Sequence, residues 1–417
     1  MHIKKGDKMK KIVIIGGGVS GVVCAIHSKN DNNEVILLER NNEVLKKLLM
    51  TGNGRCNYYN ENQSIDNYFS NSKIELEKIL TKENTDKVLT FYENLGIVPK
   101  IKNGYYYPFS NQAISVKNAL LEKLKEKNIK IITNAFVKEI NQKGKEFEVI
   151  YNDMKMICDQ VVLSTGSCAY PKTGSDGNGY YLLEKYHTII KPLPSLVPLN
   201  TNHPNLKNAA GVRSEVTLEL FEENKFIKKE EGELQITDYG ISGICTFNLS
   251  GIISRGLNQG KKEIIKINFV PFIKTLISPW LEDYSKKHPK KNISSLLEGF
   301  LNTKIVDILL KESNIKKDRY YKDLTNEEKI KLINSLRHFK VEITSTKGFD
   351  SSQTVTGGVS LEEINPYTFE SKKVKNLYII GELLDMDGIC GGYNLTIAVL
   401  SGILSGEGIK NDTSKTN

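Results

Sequence analysis

The sequence predicts an α/β fold: a parallel sheet built from both ends of the chain, with a separate insertion between them. Three observations predict it. The apolar strand Lys11–Ile15 runs directly into Gly16-Gly17-Gly18-Val19-Ser20-Gly21, then a helical stretch from Val22 to Lys29 and a second apolar strand at Glu34–Glu39, which is a βαβ unit of the expected length. Two later buried-type strands end in glycine, Gln160–Ser164 before Thr165-Gly166 and Asn376–Ile380 before Gly381-Glu382. Between them the chain changes character twice, at the proline-dense Lys191–Leu199 and again near residue 345.

The remaining elements follow in order. Polar helical segments fill about 70–127. Short strands near 129–133, 135–141 and 145–151, with Lys143-Gly144 as a hairpin turn, form a small β-meander. Strands alternate from 191 to about 270, and 276–340 reads as helical, polar and lysine-rich. After the glycine-rich Thr354–Leu361 and the loop Gly381–Gly392, Asn394–Leu404 closes the fold as a helix, and a polar tail expected to be disordered begins near Gly408. The expected division is 1–190 and 346–417 for the two parts of the parallel-sheet domain, and 191–345 for the insertion, barrel-like to 270 and helical and basic from 271.

With 417 residues, 39% hydrophobic and 26% charged, the composition is that of a soluble globular protein. No apolar run reaches membrane-spanning length, and the basic start of the chain lacks a signal-peptide core, so a cytoplasmic protein is expected, with Met9 an alternative start that would make the first eight residues dispensable. The six cysteines form no C-x-x-C pair, and neither a disulfide framework nor a metal site is expected; the six histidines show no metal or nucleophile spacing. The net charge is +9, and Arg255 to Lys340 alone holds nineteen Lys/Arg against ten Asp/Glu, so the whole excess lies in the insertion. Such a surplus is the footprint of a polyanionic partner, or the drift of a lysine-rich chain.

The glycine motif has a physical reading. Gly16 permits a tight turn, Gly18 lets backbone approach a pyrophosphate, and Gly21 lets helix and strand pack closely. The helix N-terminus offers N–H groups and positive dipole to phosphate. Glu39, eighteen residues past Gly21, sits where a carboxylate takes a ribose hydroxyl and repels a 2′-phosphate. The domain is therefore of Rossmann type. Its return near residue 380, with a closing helix whose start faces a flavin, points to FAD rather than NAD as the resident dinucleotide.

Gly52-Asn53-Gly54-Arg55-Cys56-Asn57, Ser164-Thr165-Gly166 with Pro171, Thr173-Gly174-Ser175-Asp176-Gly177, Gly240-Ile241-Ser242-Gly243, Thr356-Gly357-Gly358-Val359, and Gly381-Glu382 through Asp385 to Gly391-Gly392-Tyr393-Asn394 occur in that order. Together they resemble the YhiN/BaiN family of flavoproteins over nearly the whole chain. The sequence departs from the family pattern in Leu49-Met50-Thr51 and Cys390, neither in the glycine framework. The resemblance implies a discontinuous, glutathione-reductase-like FAD domain with an inserted β-barrel and helical part. It implies FAD contacts from Arg40, from Asn53, Gly54, Arg55 and Cys56, and from Val137, Thr165 and Gly166. It also implies contacts from Gly381, Glu382 and Asp385, and from Gly391, Gly392, Tyr393, Asn394 and Leu395.

No second strand–glycine–helix unit exists for a nicotinamide, so NAD(P)H is expected only as a transient donor. Gly177-Asn178-Gly179 reads as a loop against the flavin. Cys56 is a candidate proton donor for reduction of an activated C=C bond, and Arg55 a candidate partner of substrate or phosphate; the alternative is that Cys56 packs the loop. A neighbouring Arg55 is expected to lower the thiol pKa. The resemblance divides the substrate between a uridine of large-subunit ribosomal RNA, reduced to dihydrouridine, and a small molecule, either a bile-acid C=C bond or an amine such as aminoacetone that is oxidised. The insertion favours RNA: Lys261-Lys262, Lys286-Lys287, Lys290-Lys291 and Lys316-Lys317 are interleaved with Trp280, Tyr284, Tyr320 and Tyr321, which suits phosphates and unpaired bases.

Overall fold

The computed structural model describes residues 9–414. Five strands form one parallel sheet in the spatial order Leu377–Ile379, Gln160–Leu163, Lys10–Ile15, Asn33–Leu38, Lys130–Ile132. All but the last are buried almost throughout, which is why they read as continuous apolar runs rather than alternating ones. Numbered along the chain the order is 5-4-1-2-3, the doubly wound arrangement, with its switch point between Lys10–Ile15 and Gln160–Leu163. The register aligns the carboxyl ends: Ile15 lies opposite both Leu38 and Leu163, and Leu163 opposite Ile379. Gly16, Glu39, Ser164 and Ile380 therefore leave the sheet at one level.

The antiparallel meander consists of Val137–Lys143, Glu146–Tyr151 and Met154–Cys158. This corrects the sequence reading, which assigned 129–133 to the meander and missed Met154–Cys158. Lys130–Ile132 instead pairs with Ile36–Leu38, and Asn134, at φ 52°, turns the chain out of the sheet. Between the helices Lys82–Asn94 and Ala113–Glu126 lies a second correction: the strands Pro99–Lys102 and Tyr105–Pro108, joined by Asn103-Gly104 with both residues at positive φ. Asn-Gly is the strongest short hairpin signal, and the exposed, lysine-bearing first strand hid it inside a polar stretch.

The last helix, Tyr393–Ser414, packs along the first, Val19–Ser28. Gly402 and Gly406 allow the approach, since a Cβ on either would lie 2.6 Å from Ser20 O or 2.5 Å from His27 Cβ. The helix continues well past Gly408, where the sequence suggested a disordered tail. Ile409 is buried, and Asp412 accepts hydrogen bonds from Lys10 Nζ and Gln160 Nε2, both at 3.0 Å. The first eight residues lie outside the described ones.

By contacts the chain divides into two units, the described residues up to Leu193 with those from Gln353 onward, and Pro194–Ser352. The second unit is a closed six-stranded antiparallel barrel in the order Leu199–Thr201, Gly240–Ser242, Lys225–Ile236, Arg213–Glu222, Glu263–Asn268, Phe339–Thr346. The helix Ile244–Asn258 packs on it. Four further helices, Ile277–Lys287, Ile293–Leu297, Thr303–Glu312 and Asn326–Arg337, share the barrel's apolar core through residues such as Leu281, Ile305, Leu309 and Leu336.

Candidate functional site

The three glycines of the first turn are required for different reasons. A Cβ at Gly16 would lie 2.4 Å from Ser164 O, and one at Gly21 would lie 2.1 Å from Gly16 O and 2.4 Å from Ser164 Oγ, so packing forbids any side chain there. Gly18 differs. Its φ is −71°, open to any residue, and a Cβ would meet nothing nearer than Ser164 O at 4.0 Å. The protein leaves clear space over this backbone, at the uncapped start of the helix Val19–Ser28, which is the cradle a pyrophosphate fills.

Glu39 is buried beside it. One carboxylate oxygen accepts the Gly17 N–H at 2.7 Å; the other accepts the Asn41 N–H at 2.7 Å and its side-chain amide at 2.8 Å. Three of roughly four acceptor directions are taken, leaving one for a ribose hydroxyl. Arg40 is ion-paired with Asp176 and lies over the Phe136 ring at 5.0 Å. Val137 is buried, and its carbonyl accepts the Asn178 amide at 3.1 Å. Gly177-Asn178-Gly179 is not a free loop: Asn178 opens the short helix Asn178–Leu183.

At the switch point, Ser164 Oγ donates to Ile15 O and Gly16 O, both at 2.9 Å, fixing the fourth strand to the glycine turn. Thr165 follows, its hydroxyl buried without a partner among the described residues, and Gly166 turns at φ 76° against Ser175. From the fifth strand, Gly381 turns at φ 70° and its N–H donates to Ser401 Oγ at 3.0 Å. Glu382 accepts from Lys47 Nζ at 2.6 Å and Ser167 Oγ at 2.9 Å. Asp385 is fully buried and accepts from the Asn71 N–H at 2.8 Å, the Asn71 amide and Ser70 Oγ. It braces the 381–388 loop to the strand Tyr68–Phe69, which pairs with Asp387–Gly388.

The helix start Gly391-Gly392-Tyr393-Asn394 is held from three sides. Asn60 donates to Gly391 O at 3.2 Å, and Gly392 lies so close to Tyr59 that a Cβ would be 2.7 Å from its backbone. Asn394 clamps Gly388, accepting its N–H at 3.0 Å and donating to its carbonyl at 2.8 Å, and the Tyr393 hydroxyl accepts from Asn67. Leu395 packs against the core. With these side chains committed to the fold, the helix start offers a ligand its backbone dipole.

The loop Gly52–Cys56 has four left-handed residues, Gly52, Asn53, Gly54 and Cys56, at φ between 55° and 78°. Asn tolerates this conformation but Cys rarely adopts it, and such strain concentrates at functional sites. The loop turns Cys56 inward and Arg55 outward. Cys56 is completely buried, and burial pushes its thiol up to about 12, only partly offset by a hydrogen bond with Thr51. The lowering expected from Arg55 does not occur because the guanidinium points the other way. Arg55 is exposed; its Nε donates to Gly52 O at 3.1 Å and its guanidinium lies over Tyr107 at 5.3 Å. Tyr107, Tyr105 beside Gly391, Asn60, Asn71 and Lys47 were missed in the sequence; the Asn103-Gly104 turn was the available signal for the two tyrosines.

Part of the aromatic reading of the insertion is also corrected. Tyr321 is buried because these helices need apolar faces for the shared core, whereas Trp280 and Tyr284, stacked at 5.0 Å, stay partly exposed. Among the described residues no helix is long and apolar enough to cross a membrane, and no group of three or more His, Cys, Asp or Glu could hold a metal.

A doubly wound sheet whose switch point carries an open glycine turn, a buried carboxylate with one acceptor direction free and a returning helix start is the framework of an FAD-dependent oxidoreductase. Solved structures share the fold: 3-ketosteroid-Δ4-(5α)-dehydrogenase from Rhodococcus jostii (TM-score 0.51, 11% identity, 98% of both chains) and a flavocytochrome c3 fumarate reductase (TM-score 0.50, 14% identity, 97% of this chain and 78% of that one). The chain matches the HI0933-like protein Rossmann domain over residues 10–408 and belongs to that family. It is 35% identical to the 3-dehydro-bile acid Δ4,6-reductase of Clostridium scindens, over 95% of this chain and 98% of that one. It is 26% identical to the ribosomal RNA dihydrouridine synthase of Escherichia coli, over 92% and 93%.

Proposed function

We propose that this protein reduces a C=C bond conjugated to a carbonyl, and that its substrate is a uridine of large-subunit ribosomal RNA. The observation that carries the reaction class is Arg55, an exposed cation with no carboxylate partner among the described residues, held by a strained loop of the cofactor unit. Hydride added to the β-carbon of such a bond places negative charge on the carbonyl oxygen, O4 in uridine, until a proton reaches the neighbouring carbon, and a fixed guanidinium stabilises charge that develops there. FAD, when bound, supplies the redox chemistry. Gly18 and the start of the helix Val19–Ser28 hold its pyrophosphate, Glu39 a ribose hydroxyl, and the Tyr393 helix start the flavin end. NAD(P)H is the transient electron donor in this reading.

Arg55 acts here as a fixed charge, and Cys56 is buried. The proton therefore comes from solvent or substrate-side groups, and Cys56 serves to anchor the loop. RNA as substrate is supported by the concentration of the net charge in 255–340 and by the RNA-modifying relatives. The test is mass mapping of dihydrouridine in ribosomal RNA from a deletion strain, its parent and the complemented strain. Loss of one modified uridine, restored by the wild-type gene, is the expected result; unchanged RNA refutes the substrate.

A second reading is favoured by the higher identity to the bile-acid reductase. There the same Arg55 faces the carbonyl of a ring enone, and turnover of a 3-oxo-Δ4 steroid with NAD(P)H under anaerobic conditions is the assay. An amine oxidase has no use for a cation at this position, and rapid peroxide formation with a primary amine would overturn both readings.

A further inference from the structure

The four lysine pairs of the insertion are not equivalent in the fold. Lys261 and Lys262 are neutralised by Glu222 at 2.7 Å and Glu342 at 2.8 Å, and Lys317 by Asp307 at 2.5 Å. Arg319, Lys329 and Lys331 are likewise paired, with Glu328, Glu282 and Glu327. Lys286, Lys287, Lys290 and Lys291 are exposed and make no ion pair among the described residues. They lie at the end of the helix Ile277–Lys287 and just beyond it. Lys274, Lys304, Lys311, Lys316, Lys322 and Lys340 are also exposed without an ion pair among the described residues, but they are scattered, whereas 286–291 gathers four such lysines within six consecutive positions.

A line of aromatic rings leads to these lysines. Phe272 meets Trp280 edge-on at 6.1 Å, Trp280 stacks on Tyr284 at 5.0 Å, and Tyr284 meets His288 at 4.7 Å. Phe300 braces Phe272, Trp280 and Tyr284 from below at 5.3–5.9 Å. The order follows from helical spacing: residues 276, 280, 284 and 288 are four apart, and Lys287, seven after Trp280, returns to the same face. The line is partly open to solvent at Trp280 and Tyr284 and most open at its far end, where Phe272 is 52% and Leu276 78% exposed. The carboxylate of Glu282 is turned away to Lys329, leaving Asp283 as the helix's other acid.

We infer that this face, from Phe272 and Leu276 along Trp280 and Tyr284 to Lys286–Lys291, is the docking surface for a single strand of RNA. Lysines that no carboxylate neutralises release counterions on meeting phosphate, and open aromatic edges beside them accept unstacked bases. An apolar partner alone would not call for the lysines, and a folded anionic surface would not call for Phe272 and Leu276. The inference rests on the RNA reading above and specifies where the insertion holds its substrate.

Trp280 is the chain's one tryptophan, so its fluorescence reports on this face directly. The FAD-loaded protein is titrated with an unstructured uridine oligonucleotide at several salt concentrations. Binding is expected to quench Trp280. Replacing all four lysines (Lys286→Gln, Lys287→Gln, Lys290→Gln, Lys291→Gln) should make the slope of log affinity against log salt shallower by about 3, at ~0.7 per phosphate contact on a single strand. Phe272→Ala, at an exposed ring, should weaken binding by about tenfold. An oligonucleotide that binds with Trp280 fluorescence and salt slope unaltered by these changes overturns the inference, as does absence of binding at low salt. Salt-independent quenching by a steroid, or quenching only by a protein, also overturns it. The complemented deletion strain separates the two readings. If wild type restores dihydrouridine while the lysine variant binds unchanged, the surface is wrong and the substrate stands. If wild type restores nothing and the oligonucleotide does not bind, both fall.

Discussion

Alanine in place of Gly18 or of Gly21 should have opposite consequences, although both belong to one motif. At Gly18 the new methyl would sit 4.0 Å from its nearest neighbour, at a φ of −71° that alanine adopts freely. The cost to the empty protein is the helix-start preference for glycine over alanine, about 1 kcal/mol or less. The cost to the cofactor is larger, because the methyl occupies the approach of a pyrophosphate to backbone N–H groups. Losing one or two charge-assisted hydrogen bonds at about 1.5–3 kcal/mol each weakens FAD binding by roughly 10- to 100-fold or more. At Gly21 the methyl overlaps the Gly16 carbonyl at 2.1 Å and Ser164 Oγ at 2.4 Å, and the backbone must move. Such overpacking costs about 1–3 kcal/mol with no ligand present. The assay is thermal unfolding of the FAD-free proteins together with flavin-fluorescence titration. Gly18→Ala should melt within a few degrees of wild type and lose affinity, while Gly21→Ala should melt lower even without FAD. The reasoning is refuted if Gly18→Ala binds FAD as wild type does, or if its FAD-free form is destabilised as much as Gly21→Ala.

Arg55→Ala should keep its FAD and lose turnover by on the order of 10²-fold, with Arg55→Lys recovering part of it; unchanged turnover in both removes Arg55 from the chemistry. Burial pushes the thiols of Cys24, Cys56, Cys158 and Cys245 each up to about 12. Above the unfolded value of about 8.5 the unfolded chain gives up protons that the folded chain keeps, so stability should fall from there towards pH 12, by roughly 1.4 kcal/mol per pH unit for each thiol. Denaturant titrations at pH 8 and 10 measure the slope, and Cys24→Ala should flatten it. Glu263 is wholly buried in the barrel and is raised to about 7 by burial and by the charge of Glu222. Its folded form holds a proton that the unfolded chain releases near 4.5, so stability should decline from pH 4.5 to 7. Glu263→Gln should melt close to wild type at pH 5 and above it at pH 8; equal gains at both pH values would exclude proton linkage.

The sheet could be read in advance because its information is local. Lys11–Ile15, the glycine turn and Glu34–Glu39 lie within thirty residues, and each glycine's role follows from backbone geometry alone. Glu39 was recognisable by spacing, but its use in clamping Gly17 and Asn41 was not, since those hydrogen bonds exist only once the turn has formed. Cys56 shows a different limit. Adjacency to Arg55 suggested a lowered pKa, and the left-handed loop sends the two side chains in opposite directions, a fact carried by φ angles rather than by order in the chain. Asp385 reads as a free acid until the fold brings Asn71, more than three hundred residues away, onto it. The lysine pairs look alike in sequence, and only long-range partners such as Glu342 and Asp307 distinguish the neutralised from the available.

The pairing of the first helix with the last has a consequence for synthesis. Ser20, Val23 and Cys24 are made about 380 residues before the glycines that receive them, Gly402 and Gly406. The unit comprising Pro194–Ser352 is translated in the interval, which takes ~10–30 s at usual elongation rates. The helix Val19–Ser28 meanwhile waits with one face uncovered, and the helix start at Tyr393 is still missing. With the proposed cofactor site, FAD uptake waits until the helix Tyr393–Ser414 has been made. A chain released before that helix lacks its start at Tyr393, so on this reading the yellow colour of a preparation is also a measure of the chains that reach it.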